Sequence, residues 1–143
     1  AIQPNGVPSA GVSLAPGAGA WSTLSDRNAK GFFEPVDGRD VLQQLAGLDV
    51  STWTYNSQAP TIRHMGPVAQ DFRAAFGLGE SDTTISTVDA DGVAFAAIQG
   101  LYAELQDRDA RITALEHQNS VLEDRLAHIE AMLTQAGVGL PLL

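Results

Sequence analysis

The sequence predicts an α+β protein: a small mixed helix/strand globular unit, followed by a long C-terminal helix that forms a parallel coiled coil with copies of itself. Three observations carry this reading. From residue 93 to residue 135 the only helix-breaking residue is Gly100, and apolar residues recur there on a heptad. Before it, two short stretches of helical periodicity flank segments rich in aromatic and β-branched residues. The first 20 residues carry neither charge nor periodicity.

Composition bounds what such a chain does. With 143 residues, 44% of them hydrophobic, there is material for one modest core and not for two large domains. A formal net charge of -9 repels phosphate backbones and anionic headgroups, so neither nucleic acid nor a membrane surface is an expected partner, and protein is. There is no cysteine, which excludes a disulfide framework and a thiolate metal site. The three histidines, His64, His117 and His128, are scattered, so no metal and no cofactor is expected. No apolar run approaches the roughly 18 to 20 residues that span a bilayer. The chain begins at Ala1 rather than methionine, from which we expect it to be a piece of a longer protein.

Taken in order, residues 1–20 hold four glycines, three prolines and five alanines. They read either as a linker or, as we favour, as the extended end of an upstream fibrous stalk whose small residues let chains approach. Residues 21–92 form the compact unit. Within residues 37–48, Val41, Leu42, Leu45 and Leu48 fall at helical spacing. Residues 51–55 (STWTY) read as a strand turning at Asn56-Ser57, with residues 61–65 as its partner. Pro67 suits an early helical position for VAQDFRAAF, which Gly77 stops. A polar loop then leads to a short expected strand at residues 85–88. Asp89, Asp91 and Gly92 lack the further ligands of a calcium loop and read as helix capping. Trp53 and Tyr55 read as core.

Residues 93–136 are the coiled-coil helix, and residues 137–143 a tail. With Ile98 at position a, the a residues are Ile98, Leu105, Ile112, Asn119, Leu126 and Leu133, and the d residues Leu101, Arg108, Leu115, Leu122 and Ile129. Nine of these eleven are Ile or Leu. A polar a residue such as Asn119 commonly fixes register and oligomer state at a cost in stability, and Arg108 interrupts d. A helix of about 60 Å, at 1.5 Å per residue, is too long for the small unit to cover. Self-association is therefore expected, and Ile at both a and d raises the count above two.

The chemical signal lies where the glycine-rich arm meets the compact unit, in WSTLSDRNAK. Ser25 and Lys30 are five residues apart, so a short turn brings the amine to the hydroxyl. A serine hydroxyl needs a base to act as nucleophile, and lysine serves once burial or a cationic neighbour, here Arg27, favours its neutral form. On spacing alone the bland alternative is stronger: Ser25 or Asp26 caps a turn and Lys30 is solvated.

SDRNAK, followed by FEPVD and a short helix, STWTY, IRHMGPVAQDF, AAFGLG, ISTVDADGVA, AAIQGLY and a coiled coil, resembles the peptidase S74 family, the chaperone-like domain of phage endosialidases and related tail spikes and fibres. The likeness runs from about Trp21 to Gln106. It implies a homotrimer that aligns the upstream β-structured stalk of its own chain and then cuts the chain with a Ser/Lys dyad. Carried over, Ser25 is the nucleophile and Lys30 the general base, and the Leu24–Ser25 bond is favoured over Ser25–Asp26 because attack on the Leu24 carbonyl passes through a five-membered ring. Asp26 holds the turn or orients Lys30, and His64, Gly66 and Gln70 either supply oxyanion donors or make structural contacts. The resemblance places the parent protein in a phage tail, or in the bacterial host cytoplasm during assembly. After Lys30 the family usually carries a charged residue and Asn, where this chain has Gly31 and Phe32. A domain that trimerises without cutting, a structural cap at the fibre tip, is the alternative.

Overall fold

The computed structural model describes residues 10–137, and the chain divides into two compact units after Gly100. In the first unit, β1 (Val12–Ser13) pairs antiparallel with β2 (Ser22–Thr23) in the register Val12↔Thr23 and Ser13↔Ser22. The turn between them follows from Pro16-Gly17: proline presets the first central position, Gly17 takes φ +80°, and the Ala18 N–H bonds the Ala15 carbonyl at 3.0 Å. The described part of the arm therefore doubles back as a hairpin. Residues 1–9 of the expected stalk segment lie outside the described residues.

After a 3-10 turn at Arg27–Ala29, α1 (Gly38–Ala46) starts at Asp37, whose carboxylate accepts from the Arg39 N–H at 2.8 Å. Its apolar stripe, Val41, Leu42 and Leu45, is half-buried as the spacing requires, and α1 packs against α2. β3 (Ser51–Trp53) pairs antiparallel with β4 (His64–Gly66), Trp53 opposite His64. Arg63 ties this hairpin, donating to the Thr52 carbonyl at 2.8 Å and to Thr52 Oγ1 at 2.7 Å. α2 (Ala69–Phe76) begins two residues beyond Pro67 and ends at Gly77, whose φ of +65° is the left-handed cap that glycine adopts without steric cost.

The expected strand at residues 85–88 is not formed. Thr87 and Val88 instead open α3 (Thr87–Gln135). The Ser86 carbonyl accepts from the N–H groups of both Asp89 and Ala90, and Asp89 in the first turn complements the positive end of the helix dipole. Helix nucleation thus overrides the β-branched run.

The core of the first unit is small: Phe72, Val93 and Ala97 are buried, with Phe72 packed on Phe76 at a centroid distance of 5.0 Å. Gly38 and Gly100 meet backbone to backbone, so that a methyl on either would overlap the other. The second unit is the rest of α3, which ends at Gln135 with Gly137 at φ +72°. Residues 138–143, most of the expected tail, lie outside the described residues.

Candidate functional site

The hairpin delivers the chain to Ser25. The Leu24 N–H bonds the Gly11 carbonyl at 3.0 Å, extending the β1–β2 ladder to the residue before the serine. Asp26 then caps the 3-10 turn, its Oδ1 accepting from the Asn28 N–H at 2.9 Å and from Asn28 Nδ2 at 3.2 Å. The Ala29 N–H closes the turn on the Asp26 carbonyl at 3.1 Å, and the Lys30 N–H bonds the Arg27 carbonyl at 3.3 Å. Reversing the chain over these residues brings Lys30 Nζ to Ser25 Oγ at 2.7 Å.

Both side chains are exposed in the single chain. The Arg27 guanidinium lies over the Phe33 ring, 5.7 Å from its centroid. A shallow cleft of about 290 Å³ follows the hairpin past the Leu24–Ser25 bond, lined by Gly11, Val12, Thr23, Leu24 and Ser25 among others. Chemically this is a hydroxyl with an amine in proton-transfer distance, next to the peptide carbonyl of Leu24.

The second group of expected site residues sits on the other hairpin and α2. His64 Nε2 is 2.8 Å from Gln58 Oε1, and its ring packs on Trp53 and Tyr55 with centroids 4.8 and 5.3 Å away. Gln70, in the first turn of α2, lines a groove of about 480 Å³ with Trp53, Tyr55, Pro67 and Thr84. β4 and the start of α2 thus bring His64, Gly66 and Gln70 into one neighbourhood. Among the described residues no hydrogen bond joins them to Ser25 or Lys30. Asn28 and Gln58, the partners of Asp26 and His64, were not anticipated. Asn28 had a signal in the Asp-x-Asn turn, whereas Gln58 had none.

The heptad seam is bare. In the first unit α3 buries Val93, Ala97 and Gly100 while Ile98 on the opposite face is 62% exposed. Leu101, Leu105, Ile112, Leu115, Leu122, Leu126 and Ile129 are likewise exposed, as is Asn119, and Leu133 is half-buried. Among the described residues no helix is long and apolar enough to cross a membrane, and no group of three or more His, Asp or Glu side chains is placed to hold a metal ion.

Residues 25–77 match the family model Peptidase_S74, described as chaperone of endosialidase. This segment is similar to the Peptidase_S74 family. No curated protein and no solved structure matches the chain. The matched segment opens on Ser25 and closes on Gly77, the cap of α2. It contains Ser25, Asp26, Lys30, His64, Gly66 and Gln70, and leaves Leu24 just outside. The match supports an intramolecular chaperone role, and through the endosialidase family an association with phage tail proteins.

Proposed function

We propose that the chain is an intramolecular chaperone that trimerises, folds the tail spike or tail fibre segment upstream of it, and then releases itself by cutting the Leu24–Ser25 bond. In this reading residues 21–92 are the chaperone domain and residues 93–136 the coiled coil that holds three copies in parallel. The parent protein belongs to a phage virion tail, assembled in the host cytoplasm. The observation that carries the cleavage is the 2.7 Å contact between Lys30 Nζ and Ser25 Oγ at the first residue of the family match.

Acting as general base, Lys30 Nζ takes the proton from Ser25 Oγ, and the oxygen attacks the Leu24 carbonyl carbon through a five-membered ring. Collapse of the tetrahedral intermediate breaks the Leu24 C–Ser25 N bond, and the Lys30 ammonium returns its proton to the departing nitrogen. The resulting ester takes up one water, which leaves Leu24 as a free carboxylate and Ser25 with a free α-amine and its hydroxyl restored. Asp26 supports this by holding the turn. His64, Gly66 and Gln70 supply oxyanion donors or hold the fold around the site by structural contacts.

The exposure of Ser25 and Lys30 favours a second reading, in which the domain trimerises without cutting and stays as a structural cap. One experiment separates the two: intact mass of the wild-type chain, Ser25→Ala and Lys30→Ala after prolonged incubation in native buffer. Splitting of wild type between Leu24 and Ser25, with both variants whole, is the expected result. All three at full length would leave the cap.

A further inference from the structure

We propose that α3 recognises a second copy of its own chain, running in the same direction, by pairing Arg111 and Arg125 of one copy with Glu116 and Glu130 of the other. This rests on the assembly reading above and adds to it the residues that select the partner and its direction.

The heptad seam gives the frame. With Ile98 at position a, the flanking e positions from residue 109 to residue 130 are Asp109, Glu116, Glu123 and Glu130, all acidic. Arg111 and Arg125 both fall at g, on the other flank. The arrangement recurs two heptads apart, as RITALE at 111–116 and RLAHIE at 125–130, each an arginine, an apolar a residue, an apolar d residue and a glutamate. Arg111, Glu116, Arg125 and Glu130 are all exposed beside the bare seam.

Direction follows from what each flank meets. In a parallel pair the g residue of one helix lies beside the e residue five positions on in its neighbour, and such charge pairs set partner choice and orientation. Arg111 then meets Glu116, and Arg125 meets Glu130. Gln118 meets Glu123 with one charge between them, and Glu104 meets Asp109, the one unfavourable pair. In an antiparallel pair e meets e and g meets g. Acid then faces acid in every register between residues 109 and 130, with both arginines on the far flank. Single exposed ion pairs are weak, but each parallel interface holds two of them, and the opposite direction replaces them with like charges. A helix that carries both halves of the pair is complementary to itself, which commits the seam to another copy of this chain. Parallel copies also leave the coil from the same end, as a shared upstream stalk requires.

The test follows assembly of full-length variants by native mass spectrometry across chain concentrations. Arg111→Glu with Arg125→Glu sets acid against acid at both pairs, and Glu116→Arg with Glu130→Arg sets base against base. Each variant is expected to raise the concentration needed for assembly by on the order of tenfold, although the second lowers the net negative charge. All four substitutions together exchange the two halves and should restore wild-type assembly. Stronger assembly from Glu116→Arg with Glu130→Arg would show that only overall charge matters and overturn the proposal, as would a fourfold exchange that restores nothing. Direction is read from a nitroxide attached at Ala131→Cys, in a chain with no other cysteine. One short interspin distance is expected. A second distance of about 40 Å, at 1.5 Å per residue along the helix, would place a copy antiparallel and overturn the proposal. An oligomer indifferent to every variant would overturn this inference alone, whereas a wild-type chain that stays monomeric would overturn the assembly reading with it.

Discussion

Two glycines in the same helix should respond in opposite directions to the same substitution. In α3, Gly92 has nothing within 4 Å of the position a Cβ would take. At Gly100 the added carbon overlaps the Gly38 carbonyl group and lies 2.8 Å from the Arg39 nitrogen. Alanine in a helix interior is favoured over glycine by about 1 kcal/mol. That gain is fully available at Gly92, so Gly92→Ala should raise the melting temperature by a few degrees. At Gly100 it is opposed by an overlap with backbone atoms, which cannot rotate away as a side chain does. Relief requires α1 to move off α3, and the half-buried Val41, Leu42 and Leu45 move with it. Overpacking costs about 1–3 kcal/mol, and backbone against backbone belongs at the upper end. Gly100→Ala should therefore be net destabilising by about 1–2 kcal/mol, at about 4–8 °C per kcal/mol for a unit of this size. Thermal melts followed by circular dichroism at matched chain concentration report both. A Gly100→Ala chain that melts at or above wild type would refute the close approach of α1 and α3.

Two further substitutions test the turn and the seam. Asp26→Ala removes the cap of the 3-10 turn at a cost of about 1 kcal/mol and should slow release in a timed intact-mass assay, while Asp26→Asn, which caps equally well, should not; equal rates for all three would remove Asp26 from the site's support. Asn119→Leu replaces the polar a residue of the seam, and should raise the melting temperature of the helix while broadening the distribution of oligomers in native mass spectra; a lower melting temperature would show that Asn119 does not sit between copies.

The elements that could be read from the sequence are those whose signals are local. Asp37 before a Val41/Leu42/Leu45 spacing, and Gly77 after VAQDFRAAF, place α1 and α2 to within a few residues. The heptad places α3, although it opens at Thr87 rather than residue 93, because the carbonyl of Ser86 and the acidic first turn favour helix over the β-branched run. The β1–β2 hairpin was not legible: its strands are two residues each, and its residues alternate no apolar side chains. A Pro-Gly turn and backbone hydrogen bonds are all that hold it. The Gly38–Gly100 contact joins residues far apart in sequence, and no spacing pattern reports it. At the site, the separation of Ser25 and Lys30 permitted a contact without requiring one, and Asp26 and Asn28 decide it by closing the turn between them.

That the dyad is closed by a turn of six residues constrains how assembly would control the proposed cut. Ser25, Asp26, Asn28 and Lys30 find one another within a single copy, so bringing nucleophile and base together does not depend on a second chain. What one copy does not supply is enclosure: both catalytic candidates face solvent. A water-exposed amine and hydroxyl have little advantage over the same groups in solution, whereas the same pair in a dry, preorganised setting does. Control by assembly must then act on the surroundings of the pair and not on its formation. A neighbouring copy that covered the turn would exclude water from Lys30 and hold the turn in one step. In that proposal the cut follows assembly, because only a second copy would enclose the pair.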